Sequence, residues 1–238
     1  MCIRDSLYIM NKADLADPDI TAQWLAYFKS AGAGCLPMNS KQSGKAGAVK
    51  GPIEKELSAL MERRRKKGMI GARIRVMVVG IPNVGKSTFI NKVARRKAAA
   101  AGDRPGVTRG KQWITVDQGL LLLDTPGILW PKFEDPEVGM RLAYTGAVKE
   151  DVIDTETLAC HFIALLAKYY PQTLSERYKL EAPEGADGYD LLQLAGKKRG
   201  YLVSGGEVNT ERMAKALMDD YRSGKLGKLT LESPEDMQ

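Results

Sequence analysis

Short apolar runs alternate with helically spaced apolar positions over the first 127 residues of the chain. The segments that predict strands are 7–10, 35–38, 74–79, 111–116 and 120–123. The run 74–79 is continuous and rich in β-branched residues, which is typical of a central parallel strand covered on both faces. Asp17 followed by Pro18 predicts the start of one helix, and Pro52 predicts the start of a second. This alternation favours the α/β fold class.

Beyond about residue 150, helical spacing of the apolar positions dominates. The segments 158–169, 191–195 and 207–221 predict helices. We therefore expect two domains. The first is an α/β domain over residues 1–150, and the second is a small all-α domain over residues 151–238 with a loose tail from Ser233.

Composition narrows the class of protein. A hydrophobic content of 44% is enough to bury a core, while the apolar runs are far shorter than the roughly 18 residues that span a bilayer. Three widely spaced cysteines and a single histidine offer neither a disulfide framework nor a zinc site. These features predict a cytoplasmic protein with no membrane partner.

The net charge of +7 is concentrated in one segment. Between Lys41 and Arg75, eleven Lys or Arg residues stand against three Glu residues. Such a segment suits a polyanion, most often a nucleic acid, because cations that contact phosphates release condensed counterions. The alternative is a solvated basic helix face without a partner.

The segment from Gly80 to Ser87 fits the phosphate-binding loop pattern G-x4-G-K-[ST], and it lies between a predicted strand and a predicted helix. Glycines let successive backbone N–H groups face the β-phosphate. Lys86 reaches the β- and γ-phosphates, and Ser87 offers its hydroxyl to magnesium. The residues of this segment that we predict to bind the nucleotide are Asn83, Val84, Gly85, Lys86, Ser87 and Thr88.

Asp124-Thr-Pro-Gly127 ends the last predicted strand, at the sheet edge where open α/β folds bind ligands. Asp124 can hold magnesium through a water, and the Gly127 N–H can meet the γ-phosphate. Thr108 can add a second hydroxyl to magnesium. We predict that Lys86, Thr108 and Gly127 act in catalysis and that Thr108 and Gly127 also bind the nucleotide. Alone, Asp-x-x-Gly is also an ordinary turn, and Thr108 taken alone would more often be a loop threonine, but its order and spacing between the two motifs favour the magnesium role.

Asn11-Lys12-Ala13-Asp14 predicts selection of a guanine base. The Asp14 carboxylate can accept two parallel hydrogen bonds from the N1–H and the exocyclic amine of guanine, a donor pair that adenine lacks. Asn11 serves the Hoogsteen edge of the base, and Lys12 lies across the ring. The residues that would close this pocket after the next strand are Asn39, Ser40 and Lys41. The alternative for so short a motif is a surface turn.

The guanine motif precedes the phosphate loop, the reverse of the order in ordinary GTPases, so the domain looks circularly permuted. With that order, the chain resembles the circularly permuted ribosome-assembly GTPases. The matching segments are Asn11-Lys-Ala-Asp14, Gly80-Ile-Pro-Asn-Val-Gly-Lys-Ser87, Gly102-Asp-Arg-Pro-Gly-Val-Thr108, Leu123-Asp-Thr-Pro-Gly-Ile-Leu-Trp-Pro-Lys-Phe-Glu-Asp135, Lys198-Arg-Gly200 and Ser204-Gly-Gly206.

The resemblance implies a cytoplasmic GTPase that hydrolyses GTP to GDP and phosphate with magnesium. It implies binding to the precursor of the large ribosomal subunit late in assembly, with ribosomal RNA as the main contact, and a monomer away from the ribosome. We expect the helical domain over residues 151–238 to bind RNA or the ribosome. Asn83 in this family is associated with a potassium ion. A related permuted GTPase of the small subunit and a non-catalytic RNA-binding factor that responds to GTP are the alternatives.

Two departures from the family pattern bear on hydrolysis. Family members usually begin with a further strand and helix that contain a Pro-Gly-His-Met stretch, whose histidine is implicated in hydrolysis. This chain starts too late to contain that stretch, so we expect a sequence that is truncated or mis-started at its N-terminus. The second is Ile128, which follows Gly127 where many GTPases have a water-orienting glutamine.

Overall fold

The computed structural model describes residues 6–42, 47–68, 73–95, 98–99, 110–116, 120–130, 133–148 and 153–237. The chain divides into two compact units. The first unit comprises residues 1–129 together with 230–238, and the second comprises residues 130–229. Within the described ranges, none of the helices has the length and apolar character needed to cross a membrane.

The first unit confirms the predicted alternation of strands and helices. Its elements in chain order are β1 (Leu7–Asn11), α1 (Pro18–Ser30), β2 (Gly34–Met38), α2 (Gly47–Glu56), α3 (Ser58–Lys66), β3 (Ile74–Val78), α4 (Lys86–Ala94), β4 (Gln112–Thr115) and β5 (Leu120–Asp124). β1 and β2 pair in parallel. β5 lies between β3 and β4, parallel to the first and antiparallel to the second, which agrees with the predicted hairpin. The tip of that hairpin, residues 117–119, lies outside the described residues.

One apolar core holds this unit together. Ile90 of α4 and Leu122 of β5 are fully buried, and Ile53 of α2 is buried with them. Leu7 and Met38, from β1 and β2, pack against the same core. Removal of this apolar surface from water fixes α4 against the sheet, and it therefore also fixes the loop that leads into α4.

The run 74–79 is not covered on both faces, which corrects the prediction. Ile74, Val76 and Val78 face the core, but Met77 is 47% exposed and Val79 is 64% exposed. In the described part of the chain, β3 is an edge strand of its sheet. A continuous apolar run shows what a strand could bury on each face, but it does not show whether a second layer is present.

The second predicted helix begins earlier than Pro52, so that prediction was wrong. α2 runs from Gly47 to Glu56 with Pro52 inside it, and α3 follows after a single turn residue, Leu57. Proline at this position removes one intrahelical hydrogen bond. Ile53 is 7% exposed, and the packing of that side chain into the core offsets the loss.

The second unit is helical over its described residues. Its elements are α5 (Pro136–Tyr144), α6 (Thr155–Tyr169), α7 (Pro171–Tyr178), α8 (Gly188–Lys198) and α9 (Thr210–Arg222), with one isolated β-bridge between Leu202 and Val208. α6 packs against the other four helices. The Phe162 ring lies 4.9 Å from the ring of Tyr144 and 4.6 Å from that of Tyr221.

The division between the units lies about twenty residues before the boundary that we expected at residue 150. The reason is α5, which packs with the second unit. Arg222 donates hydrogen bonds to the carbonyl oxygens of Tyr144 at 3.0 Å and Ala143 at 3.1 Å. The expected loose tail is also wrong, because residues 230–237 fold back onto α1 of the first unit.

A buried carboxylate organises one side of the second unit. Asp220 of α9 is 4% exposed. Arg177 donates to its two oxygens at 2.9 Å each, and the Tyr178 hydroxyl donates at 3.1 Å. Arg199 and Lys225 form ion pairs with it at 3.3 and 3.5 Å. Burial acts to raise the pKa of Asp220, but the hydrogen bonds from Arg177 and Tyr178 outweigh it and hold that pKa below its ordinary value.

Replacing this carboxylate should destabilise the second unit. Because Asp220→Asn removes the buried charge to which Arg177, Arg199 and Lys225 are paired, we expect the free energy of unfolding to fall by about 2 kcal/mol at pH 7. A depressed pKa in the folded state gives stability that is present above the unfolded pKa and is lost as pH falls through the folded value. The difference between the two proteins should therefore shrink in acid. Urea unfolding at several pH values measures it.

The neighbouring exposed carboxylate offers a matched control. Asp219→Asn makes the same carboxylate-to-amide replacement one residue away, on the solvent-exposed side of α9, and it should alter the free energy of unfolding little. Equal unfolding free energies for the Asp219 and Asp220 variants would contradict the role of Asp220.

Candidate functional site

The loop between β3 and α4 has the shape that its sequence predicts. Gly85 is the N-cap of α4 with a φ of 95°, and Asn83 has a φ of 58°. A Cβ atom at Gly85 would also collide with the side-chain amide nitrogen of Asn11. Glycine is thus required at this position for both backbone conformation and close approach. The first helical hydrogen bond of α4 is from the Phe89 N–H to Gly85, so the amides of the first turn point toward the loop.

Lys86 lies across this loop. Its ammonium donates hydrogen bonds to the carbonyl oxygens of Gly80 at 3.0 Å and Ile81 at 2.8 Å. An ammonium has three N–H donors, so one remains for an anion. Burial lowers the pKa of Lys86, and the negative charge of Asp124 opposes that shift.

Asp124, at the end of β5, is fully buried. The Ser87 hydroxyl donates to its Oδ2 at 3.4 Å, while its Oδ1 has no hydrogen-bond partner among the described residues. Burial raises the pKa of Asp124, and the Ser87 hydroxyl and the Lys86 charge act against that increase. A buried carboxylate oxygen without a donor is costly unless a cation or water meets it. Asp124 and Ser87 together offer the oxygen ligands that a magnesium ion prefers.

The segment after β5 is fixed at two points, one at the end of β3 and one on the phosphate loop. The Thr125 hydroxyl donates to the carbonyl oxygen of Val78 at 2.6 Å, at the end of β3. A Cβ atom added to Gly127 would lie 2.6 Å from both Cα and N of Pro82. These contacts hold the Gly127 backbone directly over the loop. Sequence reasoning missed Thr125 and Pro82, because neither has a distinctive pattern outside its motif.

Asn11 joins the guanine motif to the phosphate loop. Its amide nitrogen donates to the Val84 carbonyl oxygen at 2.8 Å, and its Oδ1 accepts hydrogen bonds from Ser40 N–H at 3.1 Å and Ser40 hydroxyl at 2.8 Å. Ser40 is 6% exposed. The second N–H of the Asn11 amide is the one that the Hoogsteen edge of a base could use. Ser40 therefore supports Asn11 through both its N–H and its hydroxyl.

The turn that carries Lys12 and Asp14 is also shaped by hydrogen bonds. Lys12 has a φ of 58°, and the Leu15 N–H donates to its carbonyl oxygen at 2.9 Å. The Ala13 N–H donates to the Met38 carbonyl oxygen at 3.1 Å, which ties the turn to β2. The Asp14 side chain is exposed at this turn.

Asn39 shapes the turn after β2. Its Oδ1 accepts hydrogen bonds from the backbone N–H groups of Lys41 at 2.9 Å and Gln42 at 3.2 Å. Its carboxamide oxygen is thus used by its own turn, and the exposed Lys41 stands at the rim.

The structure brings most of the predicted site residues to one edge of the first unit. The phosphate loop directly contacts Asn11, and Gly127 lies against it. Asp124 contacts Ser87 at the start of α4, and Thr88 follows in the same turn. Thr108 lies outside the described residues, as does the rest of the segment 101–109.

Another asparagine, which the sequence analysis missed, holds the chain beyond α4. Asn91 donates to the Ala99 carbonyl oxygen at 2.8 Å and accepts from the N–H groups of Ala98 and Ala99 at 2.8 and 2.7 Å. A lone polar residue in an amphipathic helix gives no sequence signal for such a role.

Comparison with known proteins agrees with this geometry. Residues 75–179 match the family model described as 50S ribosome-binding GTPase. A ribosome biogenesis GTPase A from Bacillus cereus is 43% identical over 231 residues, which are 97% of this chain and 77% of that relative. The chain belongs to the ribosome biogenesis GTPase A family. It is a GTPase with an α/β nucleotide-binding unit, as the sequence predicts.

More distant relatives give the same assignment. The ribosome biogenesis GTPase A of Thermotoga maritima is 28% identical over 236 residues, with coverage of 98% of this GTPase and 78% of the relative. The solved GNP-bound YlqF from T. maritima matches with a TM-score of 0.64 at 25% identity. That match covers 96% of this chain and 82% of the other.

The contact between Gly127 and Pro82 predicts a strong effect of one methyl group. Gly127→Ala would force its Cβ against backbone atoms that cannot rotate away. An overpacking penalty of about 1–3 kcal/mol should weaken GTP binding at least about fivefold. Titration with a fluorescent GTP analogue measures this.

Gly51→Ala is the matched control, since a Cβ there meets no atom within 4 Å, and it should bind GTP like the original chain. An unchanged affinity of Gly127→Ala for GTP would show that the close approach of Gly127 to Pro82 does not contribute to GTP binding.

Proposed function

We propose that this chain is a circularly permuted GTPase that hydrolyses GTP with magnesium and acts late in assembly of the large ribosomal subunit. The observation that carries the proposal is the bonding of Asn11 to both Val84 and Ser40. One side chain thereby links the motif that would select guanine with the loop that would hold its phosphates. We place this activity in the cytoplasm, as befits the bacterial relatives.

The order of elements supports a permuted domain. The strands β1 and β2, which carry the guanine motif and its companion, precede β3 and the phosphate loop. The matched GTPase model begins at residue 75, after both of them. Permutation is tolerated when spatial contacts are kept, and the Asn11 contacts are of that kind.

For base recognition, we assign Asp14 to the paired donors of guanine. Its side chain is exposed on a turn that β2 and the Lys12 carbonyl oxygen hold in shape. A carboxylate with two parallel acceptors matches the guanine edge and gives a charge-assisted, directional contact. Lys12 would cover the ring, and Asn11 would use its second amide hydrogen.

Magnesium fits the group around Asp124. The unpartnered Oδ1 and the Ser87 hydroxyl are hard oxygen donors at the start of α4, and we assign Thr108 as the third protein group of this site. The bound ion would neutralise charge on the phosphoryl group being transferred. We extend the proposal to a potassium ion near Asn83, whose side-chain amide oxygen is a suitable neutral ligand.

For the transfer step, we assign charge stabilisation to Lys86 and to the amides at the start of α4. These donors are held in place before reaction by the loop and by the core beneath α4, so they need little reorganisation. The Gly127 N–H would meet the γ-phosphate. Ile128 is 75% exposed and aliphatic, so it offers no hydrogen bond to an attacking water.

For the ribosomal partner, we assign the basic segment between Lys41 and Arg75 to RNA phosphates. Arg63, Arg65 and Lys66 are exposed along α3. Lys66 pairs only with Glu62 among the ion pairs of the described residues, at 3.7 Å, so the helix keeps a cationic excess. The relatives named ribosome biogenesis GTPase A and the matched 50S ribosome-binding model support the large subunit as partner. We also propose that the protein is monomeric away from the ribosome.

Base choice tests the guanine assignment. Asp14→Asn replaces an acceptor with a donor, which suits the carbonyl group that xanthine has in place of the guanine amine. We expect affinity to shift from GDP toward XDP by about a hundredfold in their ratio, as for a lost charge-assisted pair. Calorimetric titration measures both.

Asp19→Asn, an exposed carboxylate in the first turn of α1, is the control and should keep the original preference. If the original chain, Asp14→Asn and Asp19→Asn all show the same ratio of GDP affinity to XDP affinity, Asp14 does not recognise the base.

Ribosome binding tests the biological role. Co-sedimentation with large and small subunits should show selective binding to large-subunit precursors, with a GTP analogue favoured over GDP by about 5–150-fold. Single-turnover GTP cleavage with and without those particles should show stimulation by them.

Arg63→Ser, Arg64→Ser and Arg65→Ser together should weaken both nucleotide states alike and reduce the salt dependence, because these contacts are to phosphate. Ribosome binding that does not depend on the bound nucleotide, on the type of subunit or on the salt concentration would refute the proposed role.

A further inference from the structure

The C-terminal segment, residues 230–237, is bonded to the first two turns of α1. The Asp17 N–H donates to the Thr230 hydroxyl oxygen at 2.9 Å. The indole N–H of Trp24 donates to the Glu232 carbonyl oxygen at 3.1 Å. The chain thus leaves the second unit after Leu229 and ends on the helix that follows the proposed guanine motif.

This segment has a defined shape of its own. The Ser233 N–H and hydroxyl donate to the Asp236 carboxylate at 2.6 and 3.0 Å, and the Asp236 N–H donates back to the Ser233 carbonyl oxygen at 3.2 Å. These bonds close the 3₁₀ turn Pro234–Met237. The acceptors on Thr230 and Glu232 are therefore presented by a folded segment.

Asp17 is the residue through which the segment can act on the base site. Its Oδ1 accepts hydrogen bonds from the N–H groups of Asp19 at 2.8 Å and Ile20 at 3.2 Å, and it therefore caps α1. Asp14 lies three residues before it. The turn that carries Asp14 is fixed upstream where the Ala13 N–H meets β2, and downstream at Asp17.

The weak burial of α1 increases the importance of these bonds. None of its side chains is fully buried. Toward its C-terminal half, Phe28 stacks on Tyr8 of β1 with ring centroids 4.7 Å apart. Its N-terminal half, which adjoins the turn of Asp14, is where the C-terminal segment attaches.

We propose that Thr230 is a positioning residue for guanine specificity and that the C-terminal segment sets the placement of Asp14 through Asp17. The inference rests on the proposed function, in which Asp14 recognises guanine. A paired hydrogen bond to a base edge is lost steeply with misalignment, so a small shift of the turn weakens the second bond of the pair. Thr230 therefore acts on discrimination between bases more than on affinity for phosphates.

GDP and IDP separate these two effects without turnover. Hypoxanthine keeps the N1–H of guanine but lacks the exocyclic amine, so it can make only one of the two bonds to Asp14. Thr230→Val removes the hydroxyl at nearly constant shape. We expect the preference for GDP over IDP to fall about three- to tenfold, the range of one lost hydrogen bond.

Three comparisons complete the experiment. Thr230→Ser keeps the acceptor and should restore the preference. Trp24→Phe removes the second bond to the segment and should also lower the preference, which provides a test if Thr230→Val does not fold. Thr157→Val removes a hydroxyl that bonds to Asp154 in the second unit at 2.9 Å, and it should leave the preference unchanged.

Asp14→Asn, measured in the same series, separates failure of the inference from failure of the proposed function. If Asp14→Asn abolishes the preference and Thr230→Val and Trp24→Phe leave it intact, the inference is wrong and the guanine assignment stands. If Asp14→Asn also leaves it intact, the guanine assignment itself fails. Loss of GDP and IDP affinity by an equal factor in Thr230→Val would show a merely structural role and overturn the inference.

Discussion

The side-chain amide of Asn11 is the interaction on which the arrangement of the site depends. It bonds to Val84 on one side and to Ser40 on the other, and a Cβ atom at Gly85 would collide with its nitrogen. The Asn11 amide thus joins three segments of the chain that are far apart in sequence, namely its own, that of Ser40 and the phosphate loop. Because that group is largely shielded from water, loss of any one partner would leave a polar atom unsatisfied, and this cost fixes the segments relative to each other.

The second constraint is the burial of Asp124. An ionised carboxylate that is removed from water must find donors or a cation, and among the described residues its Oδ1 has no hydrogen-bond partner, although the Ser87 hydroxyl donates to Oδ2 and the Lys86 charge lies nearby. Its raised pKa is the electrostatic sign of this incomplete compensation. By contrast, Asp220 in the second unit is surrounded by Arg177, Tyr178 and further cations, and its pKa is lowered. The fully compensated carboxylate holds a structure together, whereas the under-compensated one is suited to bind a ligand.

The path of the chain connects the second unit to the proposed nucleotide site. The second unit begins at Trp130, three residues after Gly127, and the chain returns to the first unit at Thr230, where it meets α1. The second unit is therefore joined in sequence to two parts of the proposed nucleotide site. Its N-terminal end follows the segment that would meet the γ-phosphate, and its C-terminal end leads to α1, the helix that follows the guanine motif.

The strands, most helices and the phosphate-loop motif of a GTPase could be predicted from the sequence, because these depend on local periodicity and on a motif whose spacing is set by phosphate chemistry. The three-dimensional contacts were needed to show that Ser40 supports Asn11, that Thr125 and Pro82 hold the Gly127 segment, and that α5 packs with the second unit. The structure also shows that Met77 faces outward and that Pro52 lies within a helix. Burial and hydrogen-bond partners are properties of contacts between distant residues, and a single sequence carries no local signal for them.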